Sequence, residues 1–373
     1  MRKSSLIYFG LVWLVFGATS VLADSVPKPG VAPAFTSKAD VMLSTAETFI
    51  RARDYEKALA VAEDLAKVYS NYAPGWMILG HCRSLAGEFE ASNEAYETAL
   101  SIGADANQVY NRMAYNHVKM EEWAKARHRY EAILDLDHTD VNALVQHAYI
   151  DEKLNNFEDA IVFCKKALDV KPSNTKVIAA LARIEAKRGE KSEARFWLKK
   201  GLEVDPESKL FLNKLSVLLI NEQSYEEALP HLEKLLVVDP DNPAIHRNVG
   251  IAYYGLSKKK EAKEAFEVLR RTGGKMNGLY GPLAESYRAT GEKAKAMAVV
   301  KEGIREKDQV AWLYCIWGKL LEESENYDGA IDKFKKAAEL REKPWTGYAE
   351  KQIARQIKLK KRAELMAAQG GGK

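Results

Sequence analysis

Cysteine is nearly absent from this sequence: Cys82, Cys164 and Cys315 are the only three among 373 residues. No two stand at the spacing of a zinc site, and three thiols make no even disulfide set. Also missing is any glycine-rich loop joining a strand to a helix, which removes the backbone cradle that nucleotide-binding folds place around a phosphate. Long β-branched runs and alternating apolar and polar residues are missing too, so strands are excluded. An excess of one charge is lacking as well. Lys and Arg number 56 against 52 Asp and Glu, a net charge of +4. That balance argues against nucleic acid, whose backbone needs a concentrated basic surface.

What the sequence does have is a period. A small residue recurs every 34 positions, at Ala58, Ser92, Ala126, Ala160, Ala194, Ala228, Ala262, Ala296 and Ala330. Nine such units fit residues 39–344 with no insertion or deletion. A strict period of this size means a stacked array, in which each unit contacts only its neighbours. Within a unit the pattern is helix, turn, helix. Trp76, Leu79, Gly80 and Arg83 share one face of a first helix, Gly87 breaks it, and Phe89, Ser92, Tyr96 and Ala99 mark one face of a second. Pro172, Pro206, Pro240 and Pro344 stop second helices.

The array is preceded by a different kind of segment. After Arg2 and Lys3 no charge occurs until Asp24, residues 6–16 are strongly apolar, and Val21-Leu22-Ala23 carries small residues where a signal peptidase reads. Residues 1–23 are therefore expected to be an export signal, with the mature chain periplasmic or secreted. The alternative is an uncleaved membrane anchor formed by the uncharged residues 4–23. Residues 24–38 contain Pro27, Pro29 and Pro33 and are expected to form an extended leader.

The units resemble tetratricopeptide repeats, whose 34-residue pattern runs W-x2-L-G-x2-Y, then A-x3-F, then P. Trp76 with Leu79-Gly80 matches the first part, and Val249-Gly250 with Tyr253 and Leu283-Ala284 with Tyr287 keep its later portion. Ala126 with Tyr130, Ala262 with Phe266 and Ala330 with Phe334 match the second. The first unit lacks the Trp, the Gly and the Pro, as a terminal capping unit does. The resemblance implies an all-α fold, a right-handed superhelical solenoid of nine tandem helix-turn-helix units closed by a C-terminal capping helix within residues 345–373. It also implies a protein-binding scaffold that is not an enzyme and carries no cofactor.

In such arrays the first helices line the inner surface. At the corresponding positions units three to five present Asn111, Tyr115, Lys119, Asn142, Tyr149, Lys153, Lys176, Arg183 and Lys187, with Glu152 as the one acid among them. Cations interleaved with amides suit an extended peptide carrying acidic groups, through charge-assisted bonds and bonds to its backbone. The plainer account of Lys119, Lys153 and Lys187 is that cations near a helix C-terminus complement the helix dipole. The family branch that grips chaperone tails needs Lys and Asn, then Asn, then Lys and Arg on successive first helices. Here Asn111, Tyr115, Gln146, Lys176 and Ala180 stand nearest, and only Lys176 fits.

A scaffold for proteins or extended peptides in a cell-envelope assembly or secretion complex is the expected role. The alternative is a carbohydrate or peptidoglycan adaptor stacking sugars on Tyr115, Tyr149 and Trp312. His81, His117 and His147 stand at different phases of successive first helices, so no shared metal is expected. Cys82 and Cys164 fall at packed positions, whereas Cys315 is expected to be exposed and reactive. The breaker-rich residues 272–282, with Gly281-Pro282 falling inside a first helix, are expected to form either an irregular repeat or a hinge. The last helix, over about residues 345–368, should cover the ninth unit with Tyr348, Ile353 and Ile357. Its basic run Lys351, Arg355, Lys358, Lys360, Lys361 and Arg362 is expected to keep the array soluble or to meet an anionic surface such as lipid headgroups.

Overall fold

The computed structural model describes residues 37–370; the expected signal and nearly all of the leader lie outside them. Among the described residues every regular element is a helix, and no helix is long and apolar enough to cross a membrane. The chain forms two compact units that divide between His138 and Thr139. The first holds α1 (Lys38–Arg51), α2 (Tyr55–Val68), α3 (Ala73–Ala86), α4 (Phe89–Ser101), α5 (Ala106–Lys119) and α6 (Trp123–Leu136). The second holds α7 (Val141–Lys153), α8 (Phe157–Val170), α9 (Thr175–Arg188), α10 (Lys191–Val204), α11 (Lys209–Asn221), α12 (Tyr225–Val238), α13 (Pro243–Gly255) and α14 (Lys259–Arg271). It continues with α15 (Tyr280–Ala289), α16 (Lys293–Arg305), α17 (Val310–Glu322), α18 (Tyr327–Glu339) and α19 (Trp345–Gly370).

The period is set at the turn inside each pair. Second helices begin at Tyr55, Phe89, Trp123, Phe157, Lys191, Tyr225, Lys259, Lys293 and Tyr327, always 34 residues apart. Two residues before each start the backbone is left-handed, at Arg53, Gly87, Glu121, Asn155, Gly189, Gln223, Ser257, Gly291 and Glu325. The following N–H then donates back to the carbonyl five residues earlier, as in Asp54 to Phe49, Glu88 to Arg83 and Asn326 to Leu321, each 2.9 Å. That bond satisfies a carbonyl the first helix leaves open and fixes the reversal.

Packing follows from the small residues. The nine that mark the period are all buried. Gly80, Gly250 and Gly318 lie under the rings of Tyr96, Phe266 and Phe334, and a Cβ at any of the three would come within 3.0 Å of ring carbons. The missing side chain lets first and second helices close on a fully buried aromatic ring, each worth about 1.5–3 kcal/mol of burial. First helices of successive pairs also touch, α1 with α3 in the first unit and α11 with α13 and α15 with α17 in the second. Within each unit a second helix packs against the first helix that follows it, as α2 does on α3 and α10 on α11.

Ser92 is the one marker that is not alanine, and its neighbourhood explains it. Its hydroxyl donates to Gly80 O at 2.6 Å and accepts from Asn116 Nδ2 at 2.8 Å. Asn116 also donates to Asn93 Oδ1 and accepts from the Ser84 hydroxyl at 2.7 Å. The interior of the first unit thus holds a closed polar network in place of apolar contact, which is stable only while its members keep their partners.

Residues 272–279, expected to be either an irregular repeat or a hinge, form an irregular connection that is tied to its neighbours. Met276 and Leu279 are buried, the Arg247 guanidinium donates to Lys275 O and Asn277 O, and both Asp308 carboxylate oxygens accept from Gly278 N–H at 2.9 and 3.0 Å. Gly281 and Pro282 do not interrupt a helix. They fall in the first turn of α15, where proline's missing donor leaves no intrahelical bond unmade. Gly281 is required there because the Trp312 ring packs directly against it. Hydrogen exchange should find the Gly278 amide protected; exchange at the rate of an open chain across 272–282 contradicts this loop structure.

The last helix, α19, packs on α18 and α17 and buries Ala349 and Gln356, with Trp345, Tyr348 and Ile353 partly covered. Ile357 does not join them; it is exposed, and Gln356 takes the covered position by donating to Glu322 at 2.6 Å.

Candidate functional site

The nine residues singled out by sequence fall in both units. In the first, Asn111 donates from Nδ2 to Asn107 O and Oδ1 at 3.0 and 2.7 Å. Tyr115 is exposed on α5, and the Lys119 ammonium stands 5.3 Å from its ring centroid. In the second, Asn142 is exposed at the start of α7, and the Lys153 ammonium stands 5.3 Å from the half-buried ring of Tyr149. Lys176 is exposed at the start of α9.

Glu152, counted by charge alone as an acid competing with the cations, has a different place. Its side chain is only 6% exposed, and it accepts from Arg183 Nε at 3.0 Å, Arg183 Nη2 at 2.6 Å and Lys187 Nζ at 2.7 Å. Arg183 and Lys187 themselves are about half exposed, at 46% and 51%. Burial pushes the Glu152 carboxyl up, but hydrogen bonds from Arg183 and then Lys187 outweigh it, and the net displacement is downward. A buried carboxylate thus pins two cations from beneath and leaves their other donors facing outward. Side chains fixed in this way lose less entropy when they bind an anion.

Beside α9 the structure shows a surface that the charges did not reveal. Leu210, Asn213, Val217 and Asn221 are all exposed on α11. Leu210, Val217 and Asn221 lie 34 residues beyond Lys176, Arg183 and Lys187, so they continue the same face into the next pair. The signal was available as an exposed stripe of helical period. It carries neither charge nor ring, so charge and aromatic content do not mark it.

Several other expectations resolve here. Trp312 offers no stacking platform: one face of its indole lies on Gly281 and the ring stacks with Trp345 at 5.2 Å, the planes 3° apart. His81, His117 and His147 meet Arg112, Glu122 and Asp151 respectively, at 3.5, 2.7 and 2.9 Å. Burial holds His81 down to about 4, with the Arg112 charge adding to it. Among the described residues no three His, Cys, Asp or Glu side chains group to hold a metal ion. Cys315 is a correction. It is 1% exposed in the core between α17 and α18, and burial pushes its thiol up to about 12. Cys82 and Cys164 are buried as expected and are raised by burial to about 11 and 12. A thiolate-directed reagent such as Ellman's should therefore find no reactive thiol in the native chain and three in denaturant. One rapid equivalent from Cys315 contradicts the burial.

Comparison with known proteins agrees with this architecture. A tetratricopeptide repeat model matches residues 153–216 and a TPR repeat model matches residues 218–257, both in the second unit. The C-terminal part of a TPR repeat-containing protein from Cytophaga hutchinsonii is 19% identical, covers 61% of this chain and 93% of its own, and superposes with a TM-score of 0.53. A tetratricopeptide repeat protein from Parabacteroides merdae is also 19% identical, over 68% of this chain and 100% of its own, with a TM-score of 0.45. At such identities the first of these speaks for the fold alone. The turn geometry and helix starts continue on both sides of the matched residues at an unchanged interval, so the described residues form helix pairs packed as in a tetratricopeptide repeat solenoid.

Proposed function

We propose that this chain is a protein-interaction scaffold that holds an extended, acidic segment of a partner protein along the first helices of its second unit. The fold supports such a role, since tetratricopeptide repeat proteins are generally non-catalytic scaffolds. The observation that carries the reading is the Glu152–Arg183–Lys187 arrangement. Two half-exposed cations are fixed in position, next to the apolar and amide stripe of α11. An acidic side chain takes the spare donors of Arg183 and Lys187, Asn213 and Asn221 bond its backbone, and Leu210 and Val217 receive apolar neighbours. Lys153, Lys176, Asn142 and Tyr149 extend the face in this unit, while Asn111, Tyr115 and Lys119 offer a smaller one in the first.

The test must respect what lies under the cations. Removing Arg183 and Lys187 alone strands a buried carboxylate, so the informative variant is Glu152→Gln/Arg183→Gln/Lys187→Gln, which removes all three charges together. On arrays of acidic and neutral peptides, preferred acidic sequences should bind this variant at least tenfold more weakly and with a shallower salt dependence. Unchanged binding by a folded variant overturns the assignment.

The setting proposed for this scaffold is a cell-envelope assembly or secretion complex. The apolar residues 6–16 and the Val21-Leu22-Ala23 pattern support export. Expression in a Gram-negative host followed by mass spectrometry should yield a chain beginning at Asp24 in the periplasmic fraction. A full-length chain in the soluble cytoplasmic fraction contradicts export.

A further inference from the structure

The basic run of α19 separates into two groups of different kinds. Lys360 is bound to Asp328, with Nζ 2.7 and 2.8 Å from the two carboxylate oxygens. Arg355 reaches Glu322 at 2.9 Å. These two fasten the helix to the ninth pair. The other four, Lys351, Lys358, Lys361 and Arg362, are exposed and make no ion pair among the described residues. They share one stripe, since residues 351, 358, 361, 362 and 365 fall within about a third of a turn of one another at 100° per residue. No acid interrupts the stripe; Glu350 and Glu364 flank it. Leu365, on the same line, and Met366 beside it are 64% and 59% exposed.

The end of this helix also projects. Asp328 belongs to the first turn of α18, so the contact with Lys360 marks where the last pair stops, and every residue from Lys361 to Met366 is exposed. A helix that only solvates an array mixes both signs on its outer face. Here the outer face carries one sign and ends in two apolar side chains.

We infer that the outer stripe of α19 docks the chain onto an anionic bilayer surface, with Lys351, Lys358, Lys361 and Arg362 at the headgroups and Leu365 and Met366 entering the interface. Charge complementarity favours a negative surface. The single convex helix edge favours one that is broad and flat rather than a peptide, which needs a groove. The exposed apolar end favours lipid over nucleic acid. The apolar residues 6–16 of the same chain agree, because a signal and an anchor both bring the chain to a bilayer. This surface is separate from the one on α9 and α11 and stands or falls independently of it.

The test is sedimentation of the full chain with vesicles of phosphatidylcholine alone and with about a third phosphatidylglycerol. Each cation near an anionic surface contributes about fivefold to binding. The full chain should therefore favour the anionic vesicles at low salt, and Lys351→Gln/Lys358→Gln/Lys361→Gln/Arg362→Gln should lower that binding by two orders of magnitude or more. Leu365→Ser/Met366→Ser should remove the binding that survives high salt. Among the described residues the four cations touch no other side chain by hydrogen bond or ion pair, so the melting curve of the quadruple variant should match that of the unsubstituted chain. Insertion of residues 6–16 depends little on lipid charge, so the anionic-minus-neutral difference isolates the stripe. Equal binding to both vesicle types, equal binding of the quadruple variant, or a preference of the stripe for duplex DNA or a polyglutamate peptide over vesicles overturns the inference.

Discussion

Gly250→Ala is expected to destabilise the second unit by about 1–3 kcal/mol, although the same exchange at an ordinary helical site gains about 1 kcal/mol. The sign reverses because of one contact. A methyl group on residue 250 falls within 3.0 Å of the Phe266 ring, which is fully buried between α13 and α14 and has nowhere to retreat. Overpacking of this kind forces either an off-rotamer ring or a wider helix pair. A wider pair disturbs the next one too, since α14 packs on α15. Urea unfolding followed by circular dichroism measures the loss. Phe266→Leu is itself costly, but in the Gly250→Ala background it should cost less than alone, because it makes room for the methyl group. A Gly250→Ala chain as stable as the unsubstituted one contradicts the packing described.

The second large effect concerns the pinned cations. Arg183→Ala/Lys187→Ala is expected to cost about 3 kcal/mol at neutral pH, most of it from leaving Glu152 buried without partners rather than from lost attraction. The pH dependence separates these two sources. In the unsubstituted chain the Glu152 pKa is lowered on folding, so the pair's contribution is complete above the ordinary glutamate range and fades as pH falls through the lowered value. In the double variant only the burial remains, the shift reverses, and the carboxyl takes a proton on folding. The gap between the two chains should therefore narrow steadily as pH drops from 7 toward 4. Glu152→Gln in the variant background should recover most of the loss at neutral pH. A gap that stays constant with pH indicates that ordinary packing, not the stranded carboxylate, sets the cost.

Much of this architecture was legible in the sequence because the period is carried by small residues at helix crossings. Ala58 through Ala330 report the register, since no other residue type fits where two helices meet. The turn was only partly legible. Glycine marks the left-handed position at 87, 189 and 291, whereas Arg53, Glu121, Asn155, Gln223, Ser257 and Glu325 occupy it without any compositional sign. The closing N–H to carbonyl bond stabilises the turn strongly enough to hold a side chain there.

The candidate surface was less legible. Phase alone places Arg183 and Lys187 on one surface and puts Glu152 there as the one acid among the cations. Only the burial of Glu152 and the hydrogen bonds it accepts from Arg183 and Lys187 show that this acid is beneath the cations. Burial of Cys315 is not legible in the repeat, because its place against Phe334, Ala337 and Ala349 depends in part on α19, which lies outside the repeat. The closed network around Asn116 was hidden for a similar reason, because its members come from three helices and two repeats. Asn116→Leu, by breaking a network that Ser84, Ser92 and Asn93 complete, should lower first-unit stability by roughly 1–3 kcal/mol, readable by urea unfolding of that unit's signal. A neutral result contradicts a satisfied network.

The most direct test of the proposed protein-binding face is site-specific photocrosslinking in intact cells from Val217 on α11 and from Val237 on α12, which is 83% exposed. Val217 should yield one discrete protein adduct, weakened severalfold by Glu152→Gln/Arg183→Gln/Lys187→Gln, while Val237 does not yield it. The same adduct from both positions, or one from Val217 that ignores the loss of the three charges, contradicts a binding face on α9 and α11.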